Sequence, residues 1–337
     1  MSTTDATASF TQRKGALAQV QSTLHRFPVI SSGAVLVVAC IVFTMQNSRF
    51  AGGYNIGIML QQTAVMATLA VAQTLVILTA GVDLSVGTAM LLVSLIMAKL
   101  AVDHGWNPGV VMLIGLAIAL AIGLAHGLLV TRMGLPPFIV TLGTFYIYLS
   151  LGNVYGEGKT FQGDAMPHAL TWLHNTFSIG NVQITYAVVM ALVMYLVFGF
   201  ILAKTAWGRH VYATGDDKEA ARLAGIDVDR VLVSVYLVAG LIYAIGAWVQ
   251  IGRSYAASAN GAADVNLESI TAVVIGGTSL FGGRGRLWGT LVGAMIVTAF
   301  RQGLKLAGVD ASWQTFAIGS LILGAVALDQ WIRKIGK

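Results

Sequence analysis

Charge along this chain is confined to short islands between long apolar runs. Residues 169–203 contain no Asp, Glu, Lys or Arg, and another uncharged run begins at Val231. A bilayer crossing needs about 20 predominantly apolar residues. Reading between the polar breaks predicts helices near 28–46, 55–80, 84–101, 109–131, 137–154, 182–203, 231–251, 268–281, 287–304 and 312–331. Ten crossings would leave both termini on one side. Two places strain that count. The eighth segment is short for a full crossing, and the third begins immediately after the second, at Gly81-Val82-Asp83-Leu84-Ser85.

Composition fixes the solvent. Of 337 residues, 56% are hydrophobic and 10% charged, against about 25% charged in soluble domains. So much apolar surface requires lipid. The expected fold is all-α: a polytopic transmembrane bundle spanning 28–335, behind an N-terminal cytoplasmic tail at 1–27. The net charge of +6 points to no nucleic-acid partner, because the basic residues stand singly at the ends of apolar runs. Thirty-nine glycines let helices approach closely. The single cysteine, Cys40, excludes an internal disulfide. Val37-Val38-Ala39-Cys40 loosely resembles a lipoprotein cleavage site, but the apolar run continues through Phe43 and a tail precedes it, so a thiol within a membrane helix is expected.

Lys and Arg accumulate on the cytoplasmic side of membrane proteins. With the N-terminus inside, the 20 basic residues split 14 inside to 6 outside. That orientation makes 155–181 the longest outer loop and 204–230 a cytoplasmic island. Gly87-Thr88 and Lys99 recur as Gly289-Thr290 and Arg301 at one offset of 202 residues. Internal repeats are common in transporters, but three matches are no more than chance supplies.

The island carries DDKEAARLAGI, Asp216 to Ile226. Asp216 is placed to cap a helix, with Glu219 at the third position of a capping box. Asp217 and Glu219 lie at the positive end of the helix dipole, with Lys218 between them and Arg222 further along. Gly225 supplies a left-handed stop. The expected rod is about eight residues, roughly 12 Å. It reads either as a stiff lever gripped by another protein or as an ordinary connection between spans.

Glu219-Ala220-Ala221 with Gly225 resembles the EAA signature of bacterial ABC importer permeases. Gly208-Arg209-His210-Val211-Tyr212-Ala213 leading into EAARLAGI is similar to their monosaccharide branch, the ribose, xylose and fructose type. Gly81-Val82-Asp83-Leu84-Ser85-Val86-Gly87 and the glycine segment Gly276 to Gly283, with Gly285 and Gly289-Thr290, look like two further signatures of that branch. No proline follows in the Ile-x-Leu-Pro position of the general pattern, which argues against the maltose-type branch. The resemblance covers roughly 28–335. It implies a homodimeric permease of the bacterial inner membrane that carries a fructose- or pentose-like sugar. Its implied partners are two cytoplasmic ATPase subunits, bound through this loop, and a periplasmic sugar-binding protein.

Asp83, flanked by uncharged helices, is costly and usually functional. It could hydrogen-bond sugar hydroxyls, or Asp83 or Ser85 could cap the third helix. The glycine segment Gly277 to Gly282 has the spacing of a phosphate loop, but Gly283 and Arg284 stand where that loop needs Lys then Ser or Thr, so no nucleotide site is expected, and a glycine-rich bend that lets backbones pack is expected instead. Gln61, Gln62, Gln73 and Thr74 on the second span, and Thr141, Thr144, Tyr146 and Asn153 on the fifth, are candidates for a sugar route; neutral amides and hydroxyls suit a polyol. Each also fits an interhelical hydrogen bond worth about 0.6 kcal/mol. His126 is expected to be a packing residue. Glu157, Asp164, Asp264 and Glu268 are outer residues that could dock a binding protein or simply be solvated. No metal or cofactor is expected. An ion-coupled secondary transporter needs acidic or histidine relays, and only Asp83 and His126 offer them. A membrane enzyme needs a nucleophile–base pair or metal ligands, and the histidine spacing shows neither.

Overall fold

The structure, a computed structural model, describes residues 28–259 and 263–334. The expected tail at 1–27 lies outside the described residues. Thirteen α-helices occur among those described. The longer ones are α1 (Pro28–Gln46), α2 (Gly53–Leu78), α3 (Val86–Val102), α4 (Pro108–Thr131), α5 (Pro137–Gly156), α7 (Tyr186–Lys204), α10 (Val228–Ser254), α11 (Ala263–Ile275), α12 (Leu287–Leu306) and α13 (Ala311–Lys334). A single turn, α6 (His168–Thr171), and two short helices, α8 (Ala206–Asp216) and α9 (Lys218–Leu223), complete the set. Each of the ten expected apolar segments contains a helix. Five of them are long and apolar enough to cross a membrane: α2, α4, α5, α7 and α10.

The core is built around α2, whose residues Thr63 to Leu78 are all buried. A helix apolar on every side belongs inside a bundle, and α10, α12, α7 and α11 pack around it. The outer helices bury one face only. Leu113 on α4 and Phe200 on α7 are 67% and 64% exposed, the surface lipid would cover. α4 crosses α10 at near backbone contact: a Cβ on Gly123 would stand 2.2 Å from the Tyr236 carbonyl oxygen, and one on Gly240 would stand 2.4 Å from that of Ala119. Small residues that admit such contact replace the hydrophobic drive that lipid cannot supply. α1 docks on α12 through Phe43, edge-on to Phe300 at 5.4 Å.

Four departures from the sequence expectations have local causes. The fold is not exclusively helical. Strands β2 (Thr176–Ile179) and β3 (Val182–Thr185) form an antiparallel hairpin, and β1 (Phe161–Gln162) pairs with β4 (Ala256–Ala257). The hairpin turns at Gly180-Asn181 with Gly180 at φ +58, the left-handed position that tight hairpin turns give to glycine. The sixth helix therefore begins at Tyr186, not 182. The eighth helix is displaced: it runs 263–275, and 276–285 is a loop in which Gly277, Gly282 and Gly283 take φ of +83, +85 and +67. Such backbone ends a helix. Glu268 consequently lies inside α11, 7% exposed, and is not an outer loop charge. Asp164 and Asp264 have no described side-chain environment. Lastly, the 204–230 island holds two helices, α8 and α9, instead of one.

Candidate functional site

The charged island caps differently from expectation. Asp216 ends α8, and Asp217 is the N-cap of α9; its Oδ1 accepts from the Glu219 and Ala220 amides at 2.9 and 3.0 Å. Glu219 therefore sits at the second position and forms no capping box. It pairs instead with Arg222 at 3.0 Å, which also reaches Asp229 at 3.4 Å. α9 has six residues, about 9 Å. Gly225 ends it at φ +84, as expected. Ala221 is buried beneath the rod, Lys218 is half-buried, and Ala220 is exposed. Leu223 is 90% exposed, an apolar knob on a polar surface that the sequence reading did not single out.

This rod is joined to the bundle through backbone. Gly215, just before it, is packed so that a Cβ would fall 1.7 Å from the Leu78 carbonyl oxygen. The Gly283 amide donates to the same Leu78 carbonyl at 3.0 Å, and a Cβ on Gly283 would meet Asp216 Cα at 2.7 Å. Tyr212 on α8 donates to the Gly285 carbonyl at 2.9 Å. Three segments thus meet with almost no side chain between them: the end of α2, the end of α8, and the glycine loop between α11 and α12.

Beyond Leu78 the chain turns back into the bundle. Residues 79–85 are non-helical, with Ala80 at φ +59, and α3 begins only at Val86. Asp83 is 1% exposed. Its Oδ1 accepts from both the Ser85 amide and the Ser85 hydroxyl at 2.7 Å, and its Oδ2 accepts from the Tyr243 hydroxyl near the middle of α10. Thr141 donates to the Val82 carbonyl at 3.0 Å. The Gly87 amide donates to Asn266 Oδ1, in the first turn of α11. The N-terminal turns of α3 and α11 therefore meet inside the protein. Asp83 orders the turn before α3, while a side chain from another helix supplies the cap.

Thr144 and Tyr148 continue the cluster along α5, their hydroxyls 2.9 and 3.1 Å from Nε2 of the fully buried His126. Thr74 bonds the Thr290 hydroxyl of α12 at 3.0 Å. Gln73 is fully buried, and neither its amide nitrogen nor its oxygen has a partner among the described residues. Asn153 is exposed on α5 and separate from the cluster. Gln61 is half-buried, and Tyr146 is 63% exposed. Of the polar positions offered for a route, Asp83, Ser85, Thr141 and Thr144 are gathered around one broken segment. Tyr243, Tyr148 and Asn266 were missed. The two tyrosines read as apolar letters within apolar runs, and Asn266 lay in an assumed connection.

A many-helix membrane bundle, broken inside at a polar turn and carrying a capped surface rod locked to that turn, is the form of a transport permease. The chain belongs to the family described as the permease component of branched-chain amino acid transport systems, which matches residues 55–326. It is similar to the fructose import permease protein FrcC of Rhizobium meliloti, 44% identical over 99% of this chain and 94% of that one. It also resembles the ribose import permease proteins RbsC of Bacillus subtilis and Escherichia coli K12, both 35% identical over 88% of this chain, and over 90% and 91% of theirs respectively. A galactose/methyl galactoside import permease protein, MglC of Haemophilus influenzae, is 31% identical over 88% of this chain and 92% of its own length.

Proposed function

We propose that this chain is the membrane-spanning subunit of an ATP-driven importer that passes a monosaccharide, fructose- or pentose-like, across the bacterial cytoplasmic membrane. In this reading it acts as a homodimer with both termini and the α8–α9 rod in the cytoplasm. Two ATPase subunits grip the rod through Asp216, Asp217, Lys218, Glu219, Ala220 and Arg222, with Leu223 as the apolar anchor, while the buried Ala221 seats the rod and Gly225 ends it. A periplasmic binding protein delivers the sugar at the opposite face. The chain makes and breaks no bond itself; ATP hydrolysis belongs to the partners.

The backbone junction carries this reading. A rod in contact with Leu78 and Gly283 cannot tilt without moving the segment that holds Asp83. ATP-driven closure of the partners would shift α9, and with it the turn from Leu78 to Ser85, alternating access to the interior. Broken helices whose ends meet inside a membrane bundle are where transporters commonly bind their cargo. Gln73, Thr74, Asp83, Ser85, Thr141 and Thr144 are the route residues supported by their burial in that region; Asn153 has no such support.

Reconstitution tests this directly. The complete complex in liposomes should accumulate sugar only with ATP, and the chain alone should accumulate none. Glu219→Lys or Gly225→Val should leave ATP hydrolysis running while transport falls by about tenfold or more, the scale of a coupling free energy above 1 kcal/mol. Normal transport by both variants would overturn the lever. Accumulation by the isolated chain against a gradient would favour an ion-coupled carrier.

A further inference from the structure

A second polar site opens at the other end of the bundle, and it shares no residue with the cluster around Asp83. Leu78 fixes the α8–α9 end of α2, so Gln62 lies toward the far end of that helix. The Tyr212–Gly285 contact fixes the start of α12 at the α8–α9 end, so Arg301 lies toward its far end; Arg253 is one residue from the far end of α10. These side chains, with Glu268 of α11, line an open cleft.

Each wall is a helical face. Gln62, Val65 and Met66 lie on α2, Val265 and Glu268 on α11, and Thr298 and Arg301 on α12, all at the three- or four-residue spacing that aligns side chains on one helix. Arg301 is ion-paired with Glu268, which is itself buried, while Arg253 is partly exposed at the same cleft. Ionised groups among membrane helices are expensive and mark substrate pathways. One Arg–Glu pair would suffice to bind α12 to α11. A second arginine, an amide and a hydroxyl converging there exceed what that contact needs.

Resting on the sugar-import reading above, we propose that this cleft is the outer receiving site for a neutral polyol, filled when sugar leaves the binding protein and before it passes the turn at Asp83. The donors are the guanidinium groups and the Gln62 amide; the acceptors are the Glu268 carboxylate and the Thr298 hydroxyl. Val65 and Met66 offer an apolar floor for the C–H face of a sugar ring. A neutral polyol can bridge these groups with the Arg301–Glu268 pair intact. A zwitterionic amino acid brings an ammonium that Glu268 alone among the lining residues could neutralise, in competition with Arg301.

Two measurements on the full chain with its partner subunits test this. In a Gln62→Cys variant, a membrane-impermeant maleimide applied from the outer side should label the new thiol, with wild type reporting the background from Cys40. D-fructose, D-ribose, D-xylose or myo-inositol, whichever the wild type takes up, should slow labelling by about fivefold or more, while L-leucine leaves it unchanged. Gln62→Leu and Arg253→Gln, which spare the Arg301–Glu268 pair, should each lower uptake at saturating sugar by about tenfold at unchanged membrane content. Labelling that the transported sugar does not slow, protection by leucine, or undiminished uptake in both variants would overturn the cleft. Failure of the wild-type complex to take up any monosaccharide would overturn the sugar reading and the cleft's ligand together.

Discussion

Two carboxylates inside this bundle are held in opposite ways. Asp83 has only neutral donors around it, Ser85 twice and Tyr243 once, and it is 1% exposed. Glu268, 7% exposed, faces a guanidinium and borders an open cleft. The first is sealed by hydrogen bonds that fix one backbone turn. The second is neutralised by an opposite charge that leaves room for a guest. Side-chain polarity alone would have classed the two together. In the proposed reading, one belongs to the moving part and the other to recognition.

If the closed end transmits force through backbone, it must reject even one methyl group. Gly215→Ala puts a carbon 1.7 Å from the Leu78 oxygen, and the junction can accept it only by separating α2 from α8. The expected cost exceeds about 4 kcal/mol, the range of severe packing defects, read as lost thermal stability in detergent. Wild-type stability would mean the junction is loose and the contrast with the open end false. Next in size is Leu223→Asp, which should cut ATP-coupled uptake by about 30-fold or more, the scale of an interface anchor worth 2 kcal/mol, with the melting temperature unmoved because the side chain touches little of its own fold. Asp83→Asn follows. It keeps the shape but turns an acceptor toward the Tyr243 hydroxyl into a donor, and should cost about 1–3 kcal/mol in stability together with slower uptake. Glu268→Gln should instead change uptake more than it changes stability, since Arg301 retains access to solvent through the cleft. Equal stability losses in the two variants would erase the distinction between the sites.

Much of this was legible in the sequence, because lipid leaves few options. Ten apolar segments announced ten helices, and DDKEAARLAGI announced a capped rod. What failed was local and has physical causes. A one-residue shift of the cap from Asp216 to Asp217 cannot be read from two adjacent carboxylates, since either can accept from amides two or three positions on. The glycine bend was expected, but the eighth helix was drawn through its first half to residue 281; where the helix stops is set by glycine backbone angles that apolar letters do not encode. The cleft was half visible. Gln62 was recognised as polar within a span and Arg301 as the counterpart of Lys99 in a weak repeat, but their meeting depends on how α2, α11 and α12 pack, which no periodicity encodes. Tyr243 was hidden for a simpler reason: in an apolar run its ring is what hydropathy counts, and its hydroxyl is what Asp83 needs.

The smallest expected effect lies outside the membrane region and gives the comparison a third carboxylate as reference. Glu157, the cap of α5, receives hydrogen bonds from Lys99 at the end of α3 and from Lys159, and these hold its carboxyl down at about 2. It is fully at the surface, so salt screens the pair and the contribution is slight. The sign follows from the depressed value: the folded protein binds this proton less readily than the unfolded chain, so the contribution is complete above the ordinary glutamate range and fades as pH falls from about 4.5 toward 2. The melting temperature of Glu157→Gln should therefore lie slightly below wild type at neutral pH and converge with it across that acid window, and high salt should close the gap at any pH. A gap that persisted at pH 2 or resisted salt would mean that the outer end of α3 is held by a desolvated pair, as at Glu268, and that the open face of the bundle is more rigid than its exposure implies.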